Sequence, residues 1–179
     1  MGVKPLNDII STIYAPTTIQ PVREEIRSTI LQFEEALAQL PGALFDDAFP
    51  LKHSFTEGCY VREIFIPKGF VLTGKIHKHA HPNFLMQGEV IVITEYNGIE
   101  YLKAPLSIIS QAGTKRVVIA LEDTWWIVVH VTDETNIDTI EQLVIAKDFN
   151  EYTTFIDAKT ATNTVAVLKE LAWSGPLSE

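Results

Sequence analysis

GFVLTGKIHKHAHPNFLMQG, residues 69–88, carries three of the chain's five histidines at alternating positions between two framing glycines. In an extended strand, side chains two residues apart share a face. Lys75, His77, His79 and His81 are therefore expected on one face, with Asn83 and Leu85 continuing it. Neutral imidazole is a good ligand for zinc, iron(II), nickel, cobalt or copper, and two or three converging rings can hold such an ion. On this reading His77, His79 and His81 are candidate ligands of a divalent transition metal. The alternative is a polar strand whose histidines face water, because H-x-H spacing also occurs without a metal.

On both sides of this stretch the chain reads as short strands. YVREIFIP precedes it, NFLMQ closes it, and EVIVITEY, IEYLKAP, LSIIS, RVVIAL and TWWIVVHVT follow, all rich in Val, Ile, Phe, Tyr or Thr. Pro67-Lys68-Gly69, Gly113 and Glu122-Asp123 break the runs, and Asn97-Gly98 predicts a two-residue hairpin. Many short strands without intervening helices predict an antiparallel sandwich or barrel. Ahead of them, Val22, Ile26, Ile30, Phe33, Leu37 and Leu40 recur every three or four residues, which predicts an amphipathic helix over about 20–40. Pro21 suits its first turn, Glu24 and Glu25 its positive end, and Pro41-Gly42 its stop. Its stripe is expected to pack at home, with docking on a neighbouring subunit as the alternative. Residues 1–19, punctuated by Pro5 and Pro16, read as an extended arm. TNIDTIEQLVIAKDF mixes a turn, a short helical segment and a closing strand, and a short helix is expected in the tail before Gly175-Pro176. The expected division is an arm and helix over 1–45, a β domain over 46–150 and a tail over 151–179.

The frame of the histidine stretch resembles the first motif of the cupin superfamily: Gly, five residues, His-x-His, three or four residues, Glu, six residues, Gly. Here Gly69 and Gly88 hold the end positions, His77 the second histidine's place, Lys75 the first histidine's and His81 the glutamate's. A second register pairs His77 with His79 and puts Asn83 in the glutamate's place, but it breaks the spacing to Gly88. The second cupin motif falls on QAGTKRVVIA, where Gly113 survives and Arg116 stands in the histidine's place. The resemblance covers about residues 55–132. It implies a single-domain antiparallel jelly-roll β-barrel of RmlC-like type, whose inward face carries a metal or ligand. The usual shell of three histidines and a carboxylate would keep His77, with His81 replacing the carboxylate. Lys75 and Arg116 raise the cost of holding a dication beside them and suit an anionic group instead. Lys75, Asn83, Arg116 and His130 are therefore candidate ligand-binding residues, with Lys75 and Arg116 the cations suited to a small anion. His130 shares a strand face with Trp126 and Val128, where a lone histidine is more often a hydrogen-bonded core residue. Of the adjacent Trp125 and Trp126, one is expected in the core and the other at a subunit contact. The segments REIFIPKG, GKIHKHAH, KAPLSIIS and AGTKRV further resemble small cupin-like proteins encoded by tailed phages. The cupin resemblance implies a homo-oligomer, and the phage resemblance implies, as partners, other proteins of a virus particle.

Charge and composition bound the rest. A formal net charge of −9, with no Lys/Arg cluster larger than Lys115-Arg116, excludes nucleic acid as the main partner. The single cysteine, Cys59, rules out an intrachain disulfide and suits a reducing cytosol. The start lacks a secretory pattern, and no apolar run reaches the ~20 residues that span a bilayer. The expectation is a soluble protein of the cytoplasm, that of a host cell or a particle assembled there, with no membrane partner. There is no glycine-rich phosphate loop and no G-x-S-x-G elbow, and no acid or base is assignable beyond the histidines. Either Arg62 or Glu63 could face the interior, and His53 reads as structural or exposed. Two functions stay open: a metal-dependent protein of small-molecule chemistry, or a structural module whose arm and helix hold neighbours.

Overall fold

Two antiparallel sheets face each other in the computed structural model, which describes residues 23–43 and 48–173. The arm expected over 1–19 lies outside the described residues. The elements run α1 (Arg23–Ala38), β1 (Leu51–Thr56), β2 (Cys59–Ile66), β3 (Val71–Thr73), β4 (Ile76–His77), β5 (His81–Gln87), β6 (Glu89–Thr94), β7 (Gly98–Lys103), β8 (Leu106–Ser110), β9 (Arg116–Ala120), β10 (Thr124–Val131), α2 (Ile137–Val144), β11 (Ile145–Ala146) and α3 (Phe149–Trp173). One sheet has the order β1-β2-β10-β5-β8, the other β3-β9-β6-β7, and β4 pairs with β11 apart from both. Setting aside edge strand β1 and the two-residue strands, the eight that remain are divided between the sheets in the orders first-eighth-third-sixth and second-seventh-fourth-fifth. That is the strand order of a jelly roll, two Greek keys folded face to face. Among the described residues no ladder joins the two large sheets, so the expected barrel is an open pair of sheets rather than a closed ring.

The register sets which side chains face inward, and it builds them in layers. Tyr60 lies opposite His130, Arg62 opposite Val128 and Ile64 opposite Trp126. On the far side of β10, Val128 faces Asn83 and Trp126 faces Leu85, and across β5 His81 faces Ser110 and Asn83 faces Ile108. The lower layers join Val90, Val92 and Val118 of the second sheet in one core with Leu85 and Trp126. The upper layer is polar. The domain thus puts its apolar burial, the main driving force for folding, at one end and leaves polar side chains at the other.

The outer face of the four-stranded sheet is covered by α1, whose Ile26, Ile30 and Phe33 pack on Ile91, Ile93, Val117 and Ile119. Its stripe is therefore buried at home. The β6–β7 hairpin turns through three residues rather than the two that Asn97-Gly98 suggested, because Thr94 pairs with Gly98. Burial of Glu95 is the physical reason: in the turn its carboxylate accepts from Arg27 on α1 and from the Lys115 N–H. Gly88 carries the chain from one sheet to the other at φ +93°, where a Cβ would lie 2.6 Å from the Asp123 carbonyl oxygen. Only glycine fits both conditions. At the polar end, the Asn136 side chain caps α2 by accepting the Thr139 N–H at 3.0 Å, and Ile140 and Val144 pack beside Tyr60. The tail helix α3 begins at Phe149 and is 25 residues long, extending well ahead of the short helix expected there.

The histidine stretch is where the alternation expected from sequence fails. Residues 78–80 bend between β4 and β5 instead of continuing a strand. The Lys78 N–H donates to the Val144 carbonyl, and its ammonium reaches the Gln142 carbonyl and Glu151. The bend is thus fastened to α2 and α3, and His79 turns outward, exposed, with its ring edge-on to Phe155 at 5.2 Å.

Candidate metal centre

Three imidazoles meet at the polar end of the sheets. His77 comes from β4, held by its pairing with Ile145; His81 opens β5; His130 is the next-to-last residue of β10. Ring centroids lie 4.1 Å apart for His77 and His81, 5.0 Å for His77 and His130, and 4.8 Å for His81 and His130. One nitrogen from each ring falls in a group whose members lie within 4.8 Å of one another. Nitrogens bound tetrahedrally at about 2.0–2.1 Å from zinc sit roughly 3.3 Å apart, so small ring rotations bring these three into range.

Hydrogen bonding fixes what one of the rings offers. His81 Nδ1 lies 3.0 Å from the His79 carbonyl oxygen, which can only accept, so Nδ1 carries the proton. In the neutral ring Nε2 then holds a lone pair, and this atom is buried with no partner. His77 Nδ1 is likewise buried and unpartnered. An orphaned buried nitrogen is costly in a folded protein unless something occupies it. Backbone-held Nδ1–H with Nε2 facing inward is the usual posture of a metal-ligating histidine.

The surroundings keep the rings neutral. Burial lowers the His81 pKa to about 4, opposed by the bond to His79 and assisted by Arg116. Burial likewise holds His130 at about 4, with His81, His79 and Arg62 adding repulsion. His77 sits well below its ordinary value, through burial first and then His81, His130, Arg116 and Arg62. A neutral imidazole is the form that ligates.

Beneath the histidines is a cavity of about 110 Å³, lined by His77, His130, Arg62, Arg116 and, deeper, Trp126 and Val118. Arg116 is buried, and burial lowers its pKa to about 10 against the opposing pull of Glu95. Its guanidinium donates to Ser110 Oγ and, at 3.5 Å, to Asn83 Oδ1. Asn83 is fully engaged: its Oδ1 also accepts from Trp126 Nε1 at 3.0 Å, and its amide donates to Ser110 Oγ and the His81 carbonyl. It therefore braces Arg116 and the floor rather than pointing a free group into the cavity.

Of the residues singled out from sequence, the structure brings His77, His81 and His130 together, sets His77, His130 and Arg116 in the lining of this cavity with Asn83 bracing Arg116, and leaves His79 outside. Lys75 stands at the mouth, about half exposed and 2.6 Å from Glu141. His53 Nδ1 lies 2.6 Å from the Tyr60 hydroxyl, one strand removed from the triad. Sequence reasoning ranked His130 low and left Arg62 undecided. The alternation in TWWIVVHVT already put His130 on the face of Trp126, and the alternation in YVREIFIP put Arg62 on the face of Tyr60. What was missing was the register that sets these two faces against each other.

No protein-family model matches the chain, and no curated protein matches it. Among solved structures, the chain is similar to an RmlC-like cupin family protein with a double-stranded β-helix fold from Methanocaldococcus jannaschii. The two are 14% identical over 50% of this chain and 87% of that one, with a TM-score of 0.39. It is also similar to a cupin-2 domain protein from Shewanella frigidimarina, at 10% identity over 60% and 99% with a TM-score of 0.40. An acetylacetone dioxygenase from Acinetobacter johnsonii matches at 15% identity over 51% and 65% with a TM-score of 0.40. It is the strand order that identifies the chain as an eight-stranded jelly roll with added helices.

Proposed function

We propose that this protein binds a divalent transition metal through His77, His81 and His130, with a small anionic molecule beside the ion. The observation that carries the reading is the buried, unpartnered Nε2 of His81, whose lone pair is set by the Nδ1–H bond to the His79 carbonyl. Three neutral nitrogen ligands leave further coordination positions open, the arrangement of sites that take a substrate or water. When bound, such an ion would act as a Lewis acid toward a ligand in the cavity. The chain's own residues supply the rest: the triad orients the ion, Arg116 and Arg62 set the charge, and α2 shields the site from solvent. Elemental analysis of protein purified without chelator tests this. Near-stoichiometric metal is expected, with a melting temperature that falls on chelation by linkage. Metal-free protein that melts identically with and without chelator would refute the reading.

A second reading, assembly from copies of the chain, is favoured by one observation. Unlike the face under α1, the outer face of the five-stranded sheet exposes Phe65, Trp125, Met86 and Ile109, at 37%, 43%, 51% and 62%. Apolar surface gathered on one sheet face marks an interaction site. The partner proposed is a second copy of this chain, as in a homo-oligomer that could itself be part of a virus particle. A Trp125→Glu/Ile109→Glu variant is expected to sediment as a monomer while keeping its metal. An unchanged sedimentation coefficient would rule this face out.

A further inference from the structure

We propose that the cavity beneath the histidines binds a short-chain carboxylate, its carboxyl group held between Arg62 and Arg116 and its apolar chain against Val118, Trp126 and Val128. The ligand class deepens the metal reading, and rests on it only in placing an ion beside the carboxyl group. The arginine contacts require no ion.

The first support is an absence of counter-charge where one is needed. Arg116 is 9% exposed, and its hydrogen-bond partners, Ser110 and Asn83, are both neutral. Arg62, on β2 one layer below Tyr60 and His130, lines the same cavity. Among the described residues neither guanidinium has a carboxylate within ion-pair distance, whereas Lys75, at the rim, has Glu141. Glu95, the acidic group that acts on Arg116 from outside the cavity, is engaged by Arg27 and the Lys115 N–H. A buried cation without a partner is costly, and a dication above it makes the charge imbalance worse. An anion entering between them relieves both.

The second support is shape. Asn83 and Ser110 hold Arg116 in place before any ligand arrives, so little ordering is lost on binding. A guanidinium presents parallel N–H groups that match the two oxygens of a carboxylate. Below the guanidinium layer the lining is apolar, from Ile64, Leu72, Val118 and Trp126. A phosphate there would bury oxygens with no donor, whereas a hydrocarbon chain of a few carbons loses nothing. The volume of about 110 Å³ is small beside the roughly 300 Å³ at which ordinary ligand pockets begin, which limits the ligand to a few carbons.

Calorimetric titration of the full chain with butyrate, 1-butanol and inorganic phosphate tests the proposal. It is run on metal-loaded and chelator-treated protein, for the parent, Arg62→Gln and Arg116→Gln, with metal content measured on every sample. Butyrate is expected to bind both forms of the parent and to weaken about tenfold or more in either variant, with butanol and phosphate much weaker. Should Arg116→Gln fail to fold, the half-buried Arg62→Gln carries the comparison. Butyrate binding that is absent from the parent, or unchanged in the folded variants, overturns the proposal; tighter binding of phosphate overturns the carboxylate assignment. Protein that takes up no metal when offered it, yet still binds butyrate through the arginines, would refute the metal reading and leave this one standing. Metal-loaded protein indifferent to butyrate would do the reverse.

Discussion

His130→Ala is expected to remove bound metal as completely as His77→Ala or His81→Ala, whereas His79→Ala should leave metal content unchanged. Loss of an outer partner of a metal ligand already costs about 10–100-fold in affinity, so loss of one ligand in three should exceed about 100-fold. His130 is 5% exposed and shares the cavity with His77, while His79 is exposed and rests on Phe155 of α3. Competition with a chromophoric chelator, read for all four variants, measures the effect. The backbone carbonyl of His79 is what positions the His81 ring, and an alanine keeps that carbonyl. Loss of metal in His79→Ala with retention in His130→Ala would mean that the ion binds the continuous strand suggested by spacing and that the bend at residues 78–80 opens to allow it.

Trp126→Ala is expected to cost about 3–5 kcal/mol of stability, against less than about 1 kcal/mol for Trp125→Ala. Trp126 is 4% exposed in the main core beside Leu85, Val90 and Val118, and its indole N–H is spent on Asn83. Truncation therefore opens a cavity between two sheets that cannot close on it, and it strips Asn83 of a donor. Trp125 lies on the outer face, 43% exposed, where its N–H reaches Glu63 at 3.1 Å. Urea denaturation of chelator-treated protein makes the comparison, so that loss of metal linkage is not counted as loss of packing. Equal costs for the two variants would mean that the outer face is buried too, by a second copy of the chain.

The adjacent tryptophans also show how far the sequence could be read. Strand alternation is a local rule, so the sequence alone put Trp125 and Trp126 on opposite sides, and the inward one is now seen to be Trp126. Another local rule, spacing by three or four, placed Val22, Ile26, Ile30, Phe33, Leu37 and Leu40 on one stripe of a helix; Ile26, Ile30 and Phe33 meet the sheet, and Val22 lies outside the described residues. Strand alternation failed at His79 because it assumes an unbroken strand. Whether residues 78–80 continue a strand depends on Lys78 bonding to Val144, Gln142 and Glu151, residues more than sixty positions away.

The sequence by itself determined the β-rich class, the helix that covers one sheet, the breaks between strands, and two of the three histidines, because each depends on the spacing of neighbours along the chain. The tertiary structure alone decided that the third imidazole is His130, that Arg62 and Arg116 line one cavity with no carboxylate in ion-pair distance of either among the described residues, and that no ladder among those residues closes the sheets into a barrel. These depend on strand register and on which faces are set opposite each other. Such long-range pairings are fixed by burying apolar surface over the whole domain, and no short stretch of the chain records them.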